Sequence, residues 1–206
     1  MAARTHSVDP RAERVRTRLR EAAFALAHQC PVDQITVGDI VSRAEVSRQV
    51  FYQHFADRDD AVATAFIAAF AAATADLGRL DDTADARARI LRLFDFAAEH
   101  RSMYRNIVPS AVTQRVVTAF RAELQPACAQ IARQGMPVVS PIASLTPESV
   151  TRFLVGGFME VLRSWMEDPD STDLSGRVGA ALDTVNALLG LTQSSPTTQS
   201  KGSHHG

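Results

Sequence analysis

Residues 35–55 read ITVGDIVSRAEVSRQVFYQHF, and this stretch decides the fold. Thr36 stands where a hydroxyl caps a short helix over Val37–Arg43. Ala44, Glu45 and Val46 interrupt the helical periodicity, and Ser47 caps a second short helix running to about Phe55. Two short helices about a three-residue turn describe a helix-turn-helix. In such a unit Ile40 and Val41 pack inward and Val46 sits under the crossing. The second helix must bury one face while its N-terminal half stays free to enter the major groove. Phe51 and Phe55 are four apart and share the inward face; Arg48 and Tyr52, also four apart, point outward.

The flanks extend this into an all-α chain. Upstream, Val15, Leu19, Ala22, Ala23 and Leu26 form one apolar stripe over residues 11–29, which Pro31 stops. Downstream, Asp57 caps a long helix to about Leu77, and further helices are expected over Asp82–His100 and Ser102–Val108. Ser110–Gln134 is a helix that Pro126 should kink or divide. Gly135–Leu145 holds Pro137 and Pro141 and reads as a loop. Thr146-Pro147-Glu148 opens a helix to about Glu167, and a last one runs from Asp173 to Leu189 with Gly190 as its stop. About nine helices result, and alternating strand patterns bounded by turn residues are missing.

Composition narrows the function classes. The 206 residues are 46% hydrophobic, enough for a core, and no apolar run approaches a membrane span of about 20 residues. Residues 1–6 lack the apolar stretch of a secretory leader, so a cytoplasmic protein is expected. Cys30 and Cys128 form no metal-binding spacing. Nucleophile elbow, phosphate loop and metal-ligand motifs are missing, so an enzyme is not expected, nor any cofactor or metal. Net charge is −1, yet Arg11, Arg14, Arg16, Arg18 and Arg20 crowd ten residues with only Glu13 against them. Such a cluster is a solvated helix face or, ahead of a DNA-binding unit, a phosphate contact.

Residues 36–58 resemble the DNA-binding motif of TetR-family regulators. Thr36, Ile40, Ala44, Val46, Ser47, Tyr52, His54 and Phe55 stand in register, and Arg58 stands near the family's usual lysine. Two positions depart: Glu45 replaces the turn glycine and Gln49 a second frequent glycine. A positive φ at Glu45 would carry a strain that glycine avoids. The resemblance implies an N-terminal three-helix DNA-binding domain with a basic arm, residues 1–56, and a helical effector-binding and dimerisation domain, residues 57–191. Residues 192–206 are expected to be a disordered tail, ending in what looks like part of an expression tag.

The resemblance also implies roles. Arg48, Gln49, Val50 and Gln53 form the base-reading set: arginine forks onto guanine, glutamine pairs adenine, and valine touches a thymine methyl. Thr36, Ser47, Tyr52, His54 and Arg58 form the phosphate-contacting set. The glycine pair, aromatic spacing and tryptophan of Phe153–Pro169 are similar to the family's dimerisation helix. With the last helix this places Gly156, Gly157, Val161, Trp165, Leu182, Val185 and Leu189 at a subunit interface, although internal packing explains the glycines equally well. Phe66, Phe70, Phe94, Met103, Tyr104, Phe120 and Phe158 are pocket-wall or core residues, with His100, Asn106 and Gln114 as polar candidates beside Tyr104. The implied partners are a palindromic double-stranded operator, a second copy of the chain and a small, mostly apolar effector that releases a repressor. The alternative is a ligand-independent DNA-organising or partner-binding protein of the same fold.

Overall fold

The computed structural model describes residues 10–75 and 83–191. Residues 1–9, the expected end of the fourth helix at Leu77 and the tail from residue 192 lie outside them, whereas the basic cluster Arg11, Arg14, Arg16, Arg18 and Arg20 falls within the helix Pro10–Gln29. The described residues form nine α-helices, a short 3-10 turn (Val32–Gln34) and no strand. The head comprises α1 (Pro10–Gln29), α2 (Val37–Ala44) and α3 (Arg48–Tyr52). The body comprises α4 (Arg58–Thr74), α5 (Thr83–Glu99), α6 (Arg101–Ile107), α7 (Val112–Val139), α8 (Pro147–Glu167) and α9 (Leu174–Leu188). None of the described helices is long and apolar enough to cross a membrane.

The expected caps form. Oxygens of Thr36, Ser47, Asp57, Thr146 and Asp173 each accept from a backbone N–H in the first turn of the helix they precede. At Thr36 the bond is reciprocated: Asp39 Oδ2 accepts from Thr36 N at 2.8 Å, closing a capping box. Gly190, at φ 65°, ends α9.

Of the kink or division expected at Pro126, the division does not occur, nor does the loop from Gly135, because α7 runs unbroken from Val112 to Val139 through both prolines. Each proline costs the carbonyl four residues earlier its helical partner. Those carbonyls belong to Ala122 and Arg133, which are exposed, as are Pro126 and Pro137, so water can take the place of the missing N–H. The opposite face carries Val116, Phe120, Leu124, Ile131 and Gly135 into the core, and this burial holds the helix together.

Helix α7 is the axis of the body. It packs on α8, α5 and α4, while α9 lies on α5 and α8. Helix α1 packs on α2, α4 and α6, so it touches both head and body. At the far end Arg101 clamps the α8–α9 connection. Its guanidinium donates to the carbonyls of Trp165 (2.9 Å), Asp168 (2.6 Å) and Ser171, and lies 4.2 Å from the Trp165 ring centre.

Candidate nucleic-acid interface

Helix α3 is only five residues long, too short to hold itself. Its anchor is aromatic: Phe51 is fully buried and Phe55 nearly so, their rings 5.7 Å apart. With that face fixed, Arg48, Gln49, Tyr52 and Gln53 are exposed and Val50 is half-buried. Tyr52 is 59% exposed and stands edge-to-face on Phe51 at 5.3 Å. Four polar side chains thus share one outward surface on a rigidly seated helix. The Arg48 guanidinium leans toward the start of α2, where a methyl group at Gly38 would lie 3.1 Å from it.

The residues expected at phosphates divide into two groups. Ser47 Oγ accepts from Val50 N at 3.3 Å and keeps its own hydrogen to give. Tyr52 is open, and His54 is half-buried behind it. Thr36 is committed in both directions: its hydroxyl accepts from Asp39 N at 3.1 Å and donates to Asp39 Oδ2 at 2.7 Å. These bonds from Thr36 hold the Asp39 carboxyl below its ordinary pKa, so a phosphate at Thr36 would meet a carboxylate. Arg58 is likewise engaged. Nη1 donates to the carbonyls of Asp33 (3.1 Å) and Ile35 (3.2 Å), and Nε pairs with Asp59 at 2.7 Å. Thr36 thus braces the start of α2, and Arg58 ties the start of α4 to the 3-10 turn and the residue after it.

The turn between α2 and α3 ends in a Schellman arrangement. Glu45 N donates to Ser42 O (3.3 Å) and Val46 N to Val41 O (3.0 Å), with Glu45 at φ 53°, ψ 48°. Among the described residues Glu45 is the one non-glycine at positive φ.

The head is fastened to the body through α6. Asn106 Nδ2 donates to Ala27 O at 2.9 Å, and His28 Nδ1 lies 3.1 Å from Ser102 Oγ. The His28 and His100 rings meet at 5.1 Å between Phe24 and Phe96. Thus His100 and Asn106, expected as polar pocket members, face α1 instead. Neither residue carried a sequence signal for this joint, which depends on where α1 crosses α6.

The other face of α6 borders a cavity of about 250 Å3 between α6, α7 and α8. Of the expected pocket residues, Tyr104 and Phe120 are in its wall; Gln114 lines an outer groove between α7 and α8. Phe66, Phe70, Phe94, Met103 and Phe158 are buried in the adjoining core, where Phe70 stacks on Phe120 at 5.0 Å and Phe94 meets Phe158 at 6.1 Å. The wall is completed by residues the sequence reading did not single out, among them Ile107, Met159, Leu162 and Met166. Their one sequence signal was the stripe Met159, Leu162, Met166 at helical spacing.

Of the residues expected at a subunit interface, Trp165, Leu182 and Leu189 are buried within the chain, at 2%, 0% and 8% exposure. Val161 and Val185 are half-buried, while Gly156 and Gly157 are exposed. A methyl group at either glycine would meet nothing within 4 Å, so no contact among the described residues requires glycine there. Phe153 beside them is 76% exposed and Leu188 on α9 is 73% exposed.

Comparison with known proteins agrees with this architecture. Residues 19–63 match the family model described as bacterial regulatory proteins, tetR family. The fold is similar to that of a tetR-family transcriptional regulator from Streptomyces coelicolor, at TM-score 0.60 and 17% identity, covering 87% of this chain and 82% of that one. It is similar also to the transcriptional regulator FadR from Bacillus subtilis, solved with stearoyl-CoA, at TM-score 0.60 and 15% identity, covering 82% and 96%. No curated protein sequence matches. The matched segment holds α2, α3 and the residues around them, and in that segment and in its fold the chain is similar to bacterial regulatory proteins of the tetR family.

Proposed function

We propose that the chain is a repressor that binds a palindromic operator as a homodimer and is released by a small, mostly apolar ligand. The observation that carries the DNA-binding part is the exposed set on α3, held by the buried Phe51 and Phe55. In this reading Arg48, Gln49, Val50 and Gln53 read base edges, while Ser47, Tyr52 and His54 meet phosphates. Thr36 and Arg58 hold α2 and α4 in place around them. The head is residues 1–56 and the body residues 57–191. Dimerisation rests on the α8–α9 face with Phe153, Gly156, Gly157 and Leu188, whose exposed apolar and small side chains favour a close helix approach. Two α3 helices must then sit about 34–36 Å apart, or a multiple of it, to enter successive major grooves.

Release has a physical route. Helix α6 borders the cavity on one face and holds α1 on the other. A ligand that prefers a displaced α6 shifts the head toward a spacing that no longer fits DNA, by as much as its affinities for the two arrangements differ.

Fluorescence anisotropy with DNA from upstream of the chain's own gene tests the reading. Wild type should prefer one fragment over scrambled DNA. Arg48→Ala should lose about 1–3 kcal/mol on that fragment and relax base preference. Tyr52→Ala should weaken all sequences alike. No preferred fragment, and no difference between variants and wild type, would remove the reading.

A further inference from the structure

The Tyr104 hydroxyl is buried and has no hydrogen-bond partner among the described residues, in a side chain only 6% exposed. A phenolic hydroxyl enclosed in a core ordinarily finds a partner, since leaving it unpaired is costly. Nothing in the packing needs it: the contact Tyr104 makes with Phe66, edge-to-face at 5.2 Å, is one that phenylalanine would make equally. Burial pushes the phenol pKa well up, so the group stays a neutral O–H able both to give and to take a hydrogen bond.

Tyr104 also stands in the wall of the cavity between α6, α7 and α8. The remaining polar wall groups are already engaged. Thr113 Oγ1 shares its one hydrogen between Ile107 O and Val108 O, both at 2.9 Å. Arg163 is tied to Glu167 at 2.6 Å and also to Glu160. The rest is apolar, with Val116, Phe120, Met159, Leu162 and Met166 prominent. The site therefore offers apolar surface and no uncommitted charge, with the unpaired Tyr104 hydroxyl closed off within the same wall. An anion would have to break the Arg163 pairs, and a cation would find both carboxylates taken. Scaling from the ~150 Å3 cavity that holds benzene, a volume of about 250 Å3 takes roughly ten non-hydrogen atoms.

We propose that this cavity binds a compact, uncharged, mostly apolar molecule bearing one oxygen, toward which the Tyr104 ring shifts so that the two oxygens become hydrogen-bond partners. Phenols, small alcohols and ketones share this chemistry. The inference deepens the effector reading above and rests on it only for the consequence at DNA; binding itself is measured without DNA.

The probes are p-cresol and p-xylene, which have the same shape and differ by a hydroxyl in place of a methyl. Calorimetric titration of the full chain should give wild type at least a tenfold preference for p-cresol. Tyr104→Phe should abolish that preference while leaving the unfolding midpoint unchanged or higher, because the variant folds without an orphaned hydroxyl. Val117→Phe, which narrows the same cavity from α7, should weaken both probes. The proposal is overturned if neither probe binds wild type, if Tyr104→Phe keeps the preference for p-cresol, or if Val117→Phe leaves both affinities unchanged. An operator assay then separates the two readings. If p-cresol binds as described without moving operator affinity, the site stands and the release mechanism falls. If operator binding is intact and no probe binds, this site falls and the DNA-binding reading stands.

Discussion

Glu45 shows how a single residue records a conflict between backbone and composition. The Schellman turn between α2 and α3 needs a left-handed residue, and the chain places a glutamate there at φ 53°. For a residue with a Cβ this conformation costs about 1–2 kcal/mol. Glycine avoids the penalty but loses about 0.5–1 kcal/mol more entropy on folding. Glu45→Gly should therefore raise the unfolding free energy by up to about 1 kcal/mol, measured by urea denaturation with an unchanged slope. A destabilised variant would mean that the Glu45 side chain makes a contribution its exposed position does not suggest. The strain was legible as a conditional only through the resemblance, whose motif carries glycine where this chain has Glu45. The outward set on α3 was legible from the residues themselves: four-residue spacing of Phe51 and Phe55 dictates where Arg48 and Tyr52 point. The engagement of Thr36 and Arg58 was not, since it depends on Asp39 and on the carbonyls of the 3-10 turn, which spacing does not locate.

At the scale of elements, α7 is where local rules and tertiary packing disagree. Proline and glycine signals divided the stretch 110–145, yet the helix continues to Val139 because its missing hydrogen bonds face water and its apolar face is buried. Gly135 belongs to that buried face for a steric reason: a methyl group there would lie 2.9–3.0 Å from three atoms of Leu189. A residue read as loop is thus the close-approach point between α7 and the end of α9. Gly135→Val should cost about 1–3 kcal/mol through overpacking, read as a lower thermal midpoint. An unchanged midpoint would show that the end of α9 moves aside freely. The helix starts were legible because a capped N-terminus is a local event, as at Thr146-Pro147 and Asp173. Which helices converge on the cavity was not, because α6, α7 and α8 contribute residues from three separate stretches of chain.

For the whole molecule, two joints decide behaviour, one between copies and one inside the chain. On the proposed subunit face, Phe153→Glu puts a charge where a partner would exclude water, and it leaves the core untouched because Phe153 is 76% exposed. Analytical ultracentrifugation should find this variant monomeric and still fully helical; a variant as dimeric as wild type would place the interface elsewhere. The internal joint responds to protons. His28 and His100 face each other across the seam of α1 with α5 and α6. Burial lowers the pKa of both, the nearness of His28 lowers that of His100 further, and Glu99 partly opposes this at His100. Ser102 on α6 is bonded to His28 at 3.1 Å. The closed joint therefore favours the neutral form of both rings. Above about pH 6.5 the opened state is neutral too, and the joint carries no penalty. As pH falls below that value, the opened state takes up protons that the closed state refuses, so closure weakens progressively. Between pH 7.5 and 5.5 the thermal midpoint of wild type should fall more than that of the His28→Gln, His100→Gln double variant. The comparison is made without DNA, so that the joint alone is read. Parallel pH profiles for the two proteins would show that the joint stays closed whatever the charge on its histidines.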